Sequence, residues 1–305
     1  MKRKILIGTI VALTGLTTAN AWAAAAEPLK ISGEVKSKYE YNEKQQSKFK
    51  NEVKINMNTK ADKMTTVDLE VKYSSKVNNT TNEETNEIKL ENAWMELSLN
   101  PRTNLRLGSQ PLEIGKKLWL DADGVSGAKL SFDSDKNNSF CIFSGRDSQD
   151  DDTPTITTQL LNYTHNFSKG SIGAYTGHQG DDRYVGGYGK YELLPNLKIE
   201  GEYLKNNHNN TKAYVSELAY GDTKKVGSMK ISATYLHADK DVFLNNDYTG
   251  YDDEYTSKYG FRGSGAKVAY KLSSATTLEV EKWWGKKMTN DQTWINSSVE
   301  LKVAF

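Results

Sequence analysis

Hydrophobic and polar residues alternate one by one over long stretches of this chain, which is the pattern of β-strands whose two faces meet different environments. The last twelve residues show the alternation most clearly. One face of this segment carries Ile295, Ser297, Val299, Leu301, Val303 and Phe305. The other face carries Asn296, Ser298, Glu300, Lys302 and Ala304. Such a segment fits the closing strand of a membrane β-barrel, because that strand shows hydrocarbon to lipid and polar groups to a wet interior.

Segments with the same period recur through the chain, and helix-like periodicity is scarce. In the first three segments charged residues occupy alternate positions, which requires water on the second face. The sequence therefore predicts an all-β protein, a transmembrane antiparallel β-barrel of about 16 strands. The predicted strands are residues 29–41, 48–58, 67–73, 87–99, 103–110, 126–133, 138–146, 156–166, 170–178, 183–194, 196–205, 211–221, 226–237, 259–271, 275–286 and 293–305.

The predicted connections fall into two classes. Every second one is short and rich in Asn, Asp, Pro, Gly and Ser, as tight turns are. The others tend to be longer and hydrophilic, notably residues 74–86, 110–125, 147–154 and 238–258. Short periplasmic turns at one end and longer extracellular loops at the other are typical of outer-membrane barrels. An even strand number would place both termini of the barrel in the periplasm.

The first 26 residues are typical of a secretory signal peptide. Lys2, Arg3 and Lys4 precede an apolar run over residues 5–16 that is too short to span a bilayer as a helix. Small residues follow, and cleavage is expected after Ala23 or Ala26. We therefore divide the chain into a signal peptide, residues 1–26, and a single barrel domain, residues 27–305.

Charge and composition exclude several classes of protein. Removal of three basic signal residues takes the formal net charge from +1 to −2, so nucleic acid is not an expected partner. The mean hydropathy of −0.69 is compatible with a barrel, because only alternate strand residues meet lipid. After the signal, no apolar stretch approaches the ~20 residues of a transmembrane helix. The four histidines and the single Cys141 lack metal-ligand spacing, so neither a metal nor a cofactor is expected.

Two segments carry a resemblance to a known family. They are Leu107-Gly108-Ser109-Gln110-Pro111-Leu112-Glu113-Ile114-Gly115 and the terminal Val299-Glu300-Leu301-Lys302-Val303-Ala304-Phe305. Together with the export signal and the strand rhythm, they resemble the Gram-negative general porin family. The resemblance implies a sixteen-stranded, usually trimeric, outer-membrane diffusion channel for ions and small hydrophilic solutes, with no cofactor and no covalent chemistry.

The resemblance also implies partners for the chain. They are outer-membrane lipid and lipopolysaccharide, the barrel-assembly machinery and two further copies of the chain as a homotrimer. Val299, Leu301, Val303 and Phe305 would form the C-terminal assembly signal.

In porins of this type the third outward loop folds into the lumen and narrows it. By order that loop is residues 111–125 here, with Glu113, Lys116, Lys117, Asp121 and Asp123 as constriction residues. The resemblance implies that acidic groups of the loop face a basic wall, for which the alternation offers Lys36, Lys50, Lys54, Lys72 and Arg106. Facing charges of opposite sign would set ion preference. The alternative is that these charges simply hydrate the lumen and balance one another.

Two other functions stay open at this point. One is an adhesin or structural barrel with a plugged lumen, and the other is a barrel enzyme, for which Ser144 and His165 offer a nucleophile and a base. Two acidic loops could bridge divalent cations to lipopolysaccharide phosphates, or could simply be hydrated. Their acidic residues are Asp147, Asp150, Asp151, Asp152 and, in the second loop, Asp239, Asp241, Asp247, Asp252, Asp253 and Glu254.

Overall fold

The computed structural model describes residues 27–42, 45–78, 83–147, 155–244, 249–251 and 259–305. They form sixteen β-strands. The strands are β1 (Lys30–Asn42), β2 (Gln45–Lys60), β3 (Thr65–Asn78), β4 (Glu83–Asn100), β5 (Thr103–Glu113), β6 (Asp121–Asp133), β7 (Asn138–Asp147), β8 (Ile156–Phe167), β9 (Gly170–Gln179), β10 (Asp182–Leu194), β11 (Leu197–Asn206), β12 (Thr211–Gly221), β13 (Met229–Ala238), β14 (Phe261–Lys271), β15 (Thr276–Lys287) and β16 (Thr293–Ala304). The predicted signal peptide lies outside the described residues. Among the described residues, no helix is long and apolar enough to cross a membrane.

Each strand pairs antiparallel with its neighbours in sequence, and β1 pairs with β16 to close the barrel. At this seam Val35 lies opposite Val303 and Lys36 lies opposite Lys302. Closure gives every strand two hydrogen-bonded neighbours, so the ring contains no edge strand. The predicted fold class, a closed antiparallel barrel of about sixteen strands, is confirmed.

The two faces of the wall differ as the alternation requires. Val280 of β15 lies opposite Val299 of β16, and both side chains are about half exposed on the outer surface. The residues next to them, Glu279 and Glu300, also lie opposite each other and face the interior. Large apolar side chains are therefore exposed on the outside of this barrel, where a hydrocarbon phase would cover them.

Short turns connect the strands at the end of the barrel that holds the termini, which we name the turn end. Their polar side chains accept hydrogen bonds from backbone N–H groups: Asp62 accepts from Met64 and Thr65, both at 2.7 Å. These bonds hold the pKa of Asp62 below its usual range. Asp135 plays the same role in the β6–β7 turn, and the pKa of its carboxyl is lowered by hydrogen bonds from Asn138 and Asn137. The turn residues read from the sequence thus act by the expected chemistry.

At the other end, which we name the loop end, two predicted loop bounds are wrong. Residues 74–86 were expected to be a loop, but β3 continues to Asn78 and β4 begins at Glu83. Similarly, β5 runs to Glu113 and β6 starts at Asp121, which leaves only residues 114–120 between them. Polar side chains such as Ser75 interrupt the hydrophobic alternation there, so the sequence pattern did not show these extensions. The strands continue beyond the apolar belt of the barrel because the hydrogen bonds between strands are made by the backbone.

Candidate functional site

The β5–β6 loop, residues 114–120, lies inside the barrel. Leu118, Trp119 and Leu120 are at most 1% exposed, although they belong to a loop. The indole of Trp119 packs on Tyr175 of β9 and on Tyr184 of β10, with ring centroids 5.4 and 4.8 Å apart. Since β9 and β10 stand several strands away from β5 around the ring, the loop must extend across the interior to reach them.

A single carboxylate on the far wall holds the backbone of this loop. Glu202 of β11 accepts hydrogen bonds at Oε2 from the N–H groups of Lys116 (2.6 Å) and Leu118 (3.2 Å). Its Oε1 accepts a bond from the hydroxyl of Tyr175 at 2.6 Å. The carboxylate is buried, so its three donors replace the water that it loses. Glu202 therefore fixes the position of the loop.

The two lysines of the loop point in different directions. The Lys116 ammonium lies 2.9 Å from Glu217 of β12 and 3.5 Å from Glu200 of β11. Lys117 has a left-handed backbone (φ 66°), and its ammonium lies 2.9 Å from Glu113 and 2.8 Å from Asp121, at the two ends of the loop. Burial alone would lower the pKa of Lys117, but its hydrogen bonds to Asp121 and Glu113 raise it above the usual value. Lys117 thus offsets one of the two negative charges of Glu113 and Asp121, so these three predicted constriction residues together keep one net negative charge.

A second loop, between β13 and β14, also enters the interior. Val242 and Phe243 are buried, and the Val242 carbonyl accepts a hydrogen bond from Asn206 Nδ2 at 3.3 Å. The N–H of Leu244 donates to the hydroxyl of Tyr184 at 2.9 Å.

The two loops also touch each other. The N–H of Gly250, in the β13–β14 loop, donates to the carbonyl of Lys117 at 2.8 Å, and the Thr249 hydroxyl approaches the same oxygen at 3.5 Å. The β13–β14 loop therefore braces the β5–β6 loop.

Together the two loops bury an apolar cluster inside the barrel. Most of its members from the wall face inward on strands β7 to β14 and β16, and Leu112, Ala122 and Val125 of β5 and β6 also belong to it. They include Phe143, Leu160, Tyr175, Tyr184, Leu204, Val215, Leu236, Phe261 and Trp294. A packed apolar cluster excludes water, so this arc of the barrel is closed at the level of the loops.

The opposite arc, β1 to β4, carries ionic side chains instead, which we name the charge lattice. Lysines and glutamates alternate on its inner face, with ammonium-to-carboxylate distances of 2.6–3.4 Å. The pairs are Lys36 with Glu34 and Glu52, Lys38 with Glu40, Lys50 with Glu40, Lys54 with Glu70, Glu91 and Asp123, and Lys72 with Glu52 and Glu91. Each predicted wall lysine therefore lies beside a carboxylate of the wall itself.

Lys54 is the point where wall and loop residues meet. Its ammonium lies 3.4 Å from Glu70, 2.8 Å from Glu91 Oε2 and 3.0 Å from Asp123. Asp123 lies near the start of β6, just after the loop. The Glu91 contact is an ion pair outside hydrogen-bond geometry. Oxygens of the three carboxylates lie within 4.8 Å of one another, a spacing that a metal could use. The lysine already supplies the positive charge there.

Arg106, the remaining predicted wall residue, lies apart from the lattice on β5. Its Nε and one terminal nitrogen contact Glu96 Oε2 at 2.9 and 2.8 Å. Its guanidinium also stacks on Trp94, 3.8 Å from the ring centroid. This arrangement holds the arginine against the wall, because both the charge and the planar face are engaged.

Several residues of the site were not found by sequence reasoning. Glu70, Glu91 and Glu202 were missed, because nothing local shows which distant side chain an inserted loop will meet. One signal was available: the apolar run Leu118-Trp119-Leu120 sits between charged residues in a segment that we expected to be hydrophilic. Such a run in a loop indicates burial.

The described acidic loop residues show no bridging arrangement that we can assign. Asp239 accepts a hydrogen bond from the backbone of Lys212 and contacts His237. Asp241 lies near Lys240. The remaining acidic residues of the two loops lie outside the described residues or have no described side chain: Asp147, Asp150, Asp151, Asp152, Asp247, Asp252, Asp253 and Glu254.

A closed sixteen-stranded barrel with an apolar outer surface and a charged, partly filled interior defines a transmembrane channel of the β-barrel class. Comparison with known families narrows the class further. The chain belongs to the Gram-negative porin family, whose profile matches residues 10–296. It is therefore an outer-membrane diffusion channel, and the resemblance read from its sequence is confirmed.

Solved structures share the fold. Pseudomonas putida OprB, in its low-pH structure, superposes with a TM-score of 0.66 at 6% identity, covering 91% of this chain and 92% of OprB. A triple mutant of the Rhodopseudomonas blastica porin gives a TM-score of 0.63 at 10% identity, covering 91% of this chain and all of that porin. No curated protein matches the chain in sequence. At such low identities the structural likeness concerns the fold alone.

Proposed function

We propose that solutes cross this porin by an eccentric aqueous passage along the charge lattice of β1 to β4. The observation that carries the proposal is the apolar cluster, which occupies the opposite arc at the level of the two loops. Towards the turn end the inward residues of that arc become polar, for example Asn162, Lys190 and Ser232, which fits a wider wet vestibule. Passage is diffusive, and no cofactor takes part.

The passage is expected to discriminate weakly between anions and cations. Each lattice lysine has a carboxylate within 3.4 Å, and on the loop Lys117 offsets one of the two negative charges of Glu113 and Asp121. The proposed role of the predicted wall and loop residues is therefore local: they present alternating charges to a solute rather than two opposed walls of single sign. Lys54 and Asp123 form the one described wall-to-loop ion pair of this set.

Accessibility of cysteines to a charged thiol reagent tests the proposed path. In a Cys141→Ser background, Ser74→Cys places a thiol on the inner face of β3, and Val215→Cys places one in the apolar cluster. A sulfonate-bearing methanethiosulfonate is expected to lower the current of the Ser74→Cys channel in a planar bilayer and to leave the Val215→Cys channel unchanged. Equal block of both channels would contradict the eccentric passage.

The barrel-enzyme alternative is not favoured by the geometry of its two suggested residues. Ser144 of β7 lies opposite Gln159 of β8. His165 is also on β8, six residues beyond Gln159. This separation corresponds to about 20 Å, far beyond hydrogen-bond reach. We therefore infer a non-enzymatic channel.

We further propose a homotrimer, supported by polar side chains on the outer face of β15, β16, β1 and β2. Lys282 is exposed near the middle of β15, between Val280 and Trp284, which face outward. It lies opposite Ser297 of β16. A lysine facing lipid at the bilayer centre costs about 2–4 kcal/mol, and a neighbouring subunit would remove that cost. Conductance steps in groups of three would support the trimer, and uniformly single steps would contradict it.

A further inference from the structure

A cavity of about 300 Å³ lies between the base of the β5–β6 loop and the inner wall of β6, β7 and β8. We name it the vestibule cavity, because its wall residues continue to the ends of β6 and β7 at the turn end of the barrel. Its volume is at the lower end of the range of small-molecule sites in proteins. It lies outside the charge lattice, and passive diffusion alone gives it no role.

Three polar side chains form a row across the wall of this cavity. Ser131 of β6 lies opposite Cys141 of β7, and Asn162 of β8 lies opposite Cys141 on the other side. All three line the cavity and are half-buried. Neighbouring strands are about 4.8 Å apart, so the row is about 10 Å long. A hydroxyl, a thiol and an amide are therefore presented side by side to a solute in the cavity.

Lys129 supplies the positive charge of the cavity. It precedes Ser131 by two residues on β6, so both side chains face the interior. In contrast to the lattice lysines, Lys129 has no carboxylate within ion-pair distance among the described residues. Directly opposite it on β5 lies Arg106, whose guanidinium is engaged by Glu96. A half-buried ammonium without a counter-charge is a favourable partner for an anionic group of a solute.

Two carboxylates also line the cavity, but neither compensates Lys129. Glu113 lies at the base of the loop, where its carboxylate is 2.9 Å from the ammonium of Lys117. Asp133 is exposed and lies four residues from Lys129 along β6, which corresponds to about 13 Å. This distance is too long for an ion pair, and salt screens charges so far apart. The charge beside the polar row is therefore that of Lys129.

We propose that the vestibule cavity binds small aliphatic carboxylates. The carboxylate lies beside Lys129 and accepts hydrogen bonds from the polar row. The hydrocarbon part packs on three apolar side chains that line the cavity and are at most 4% exposed, namely Leu112, Ile114 and Leu160. Binding of this kind must be weak, because a solute that crosses a channel has to leave its site again. The site thus makes the permeation of one class of solute saturable.

Cys141 allows occupancy to be measured directly, because it is the single cysteine of the chain and lines the cavity. The purified channel is labelled with methyl methanethiosulfonate, which is small and uncharged, at rising isovalerate concentration and constant ionic strength. Isovalerate is expected to slow the labelling of Cys141 in a saturable manner. Lys129→Gln is expected to bind isovalerate about tenfold more weakly, because a charge-assisted hydrogen bond is lost. Lys190→Gln, which removes an inward lysine of β10 outside the cavity, is expected to match the unmodified protein.

Two further solutes separate the contributions of charge and chain. Isopentylamine carries the same chain with the opposite charge and should not protect Cys141, whereas acetate carries the charge without the chain and should protect only at much higher concentration. Absence of protection by isovalerate overturns the proposal, as does equal protection by either of these solutes or full protection in Lys129→Gln.

A second thiol position covers the case in which Cys141 reacts too slowly to follow. Ser139→Cys in a Cys141→Ser background places the thiol elsewhere in the same cavity, and the same protection is expected there. The thiol reports binding rather than current, so the outcome does not depend on whether solutes follow the eccentric passage.

Discussion

Lys54 is the residue at which the wall of this channel contacts a residue of its inserted segment. One ammonium lies beside three carboxylates, Glu70, Glu91 and Asp123, of which the last belongs to the start of β6. The sequence predicts Lys54 on the inner face, because alternation along β2 determines the direction of each side chain. It did not show Glu70 and Glu91, which come from β3 and β4, whereas Asp123 was among the loop residues expected to face the basic wall.

Replacing Lys54 with glutamine is expected to make the channel cation-selective. The change leaves three carboxylates close together without their shared cation, so the local potential becomes negative. In a KCl gradient the reversal potential should move towards that of potassium, and millimolar calcium should reduce the current, since clustered carboxylates attract divalent ions.

Lys50→Gln is the control for this experiment. Lys50 is also on β2, but among the described residues its ammonium pairs with Glu40 alone, at 3.3 Å, and its side chain is 44% exposed. Its neutralisation should shift the reversal potential much less. Identical reversal potentials for Lys54→Gln and the unmodified channel would show that Lys54 does not control permeation.

At the scale of elements, strands were more predictable than loops. Each strand carries its own signal, because alternate residues meet two different media along its whole length. The paths of the β5–β6 and β13–β14 loops depend instead on distant partners such as Glu202 and Tyr184. The family resemblance implied that the β5–β6 loop enters the interior, and in the residues themselves the apolar run around Trp119 indicates it. The β13–β14 loop gave no comparable hint, because its acidic residues suggested full hydration.

Val242→Asp is expected to release the β13–β14 loop from the interior. Val242 is fully buried, and an unpaired carboxylate at that position costs several kcal/mol, more than a surface loop gains by docking. The single-channel conductance should rise, and larger sugars should swell liposomes that contain the variant.

Leu244→Asp provides the comparison for the loop. Leu244 belongs to the same loop but is 43% exposed, so a carboxylate there stays hydrated and the conductance should not change. A Val242→Asp channel that folds and conducts like the Leu244→Asp channel would mean that the docked loop does not restrict the passage.

At the scale of the whole molecule, closure depends on the seam between the first and last strands. Gly33 exchanges two backbone hydrogen bonds with Phe305, at 2.9 and 3.0 Å. The ring of Phe305 covers Gly33 so closely that an added Cβ would lie 2.4 Å from it and 2.5 Å from the carbonyl oxygen of Lys54. The role of Val299, Leu301, Val303 and Phe305 as an assembly signal stays a prediction. Their outward direction on β16 follows from the register.

Gly33→Ala is expected to slow assembly and lower thermal stability. The methyl group meets backbone as well as the ring, so the seam must shift to accept it. Gly189→Ala is the matched control, since an added Cβ there finds its nearest atom at 3.5 Å. Folding into vesicles, followed by far-ultraviolet circular dichroism and melting temperature, compares the two. Indistinguishable folding rates and melting temperatures would show that the seam tolerates the methyl group.

We expect the charge lattice also to influence which solutes cross the channel easily. Positive and negative groups on this wall are separated by only a few ångströms, so their fields cancel over a distance comparable to the ~8 Å screening length of physiological saline. The lattice therefore exerts little long-range attraction or repulsion on an ion of either sign. An amino acid carries a positive and a negative charge at a similar spacing. As it moves along the wall, contacts with lattice residues can replace the water molecules around both charges. Zwitterionic solutes such as amino acids should consequently permeate faster than singly charged compounds of the same size.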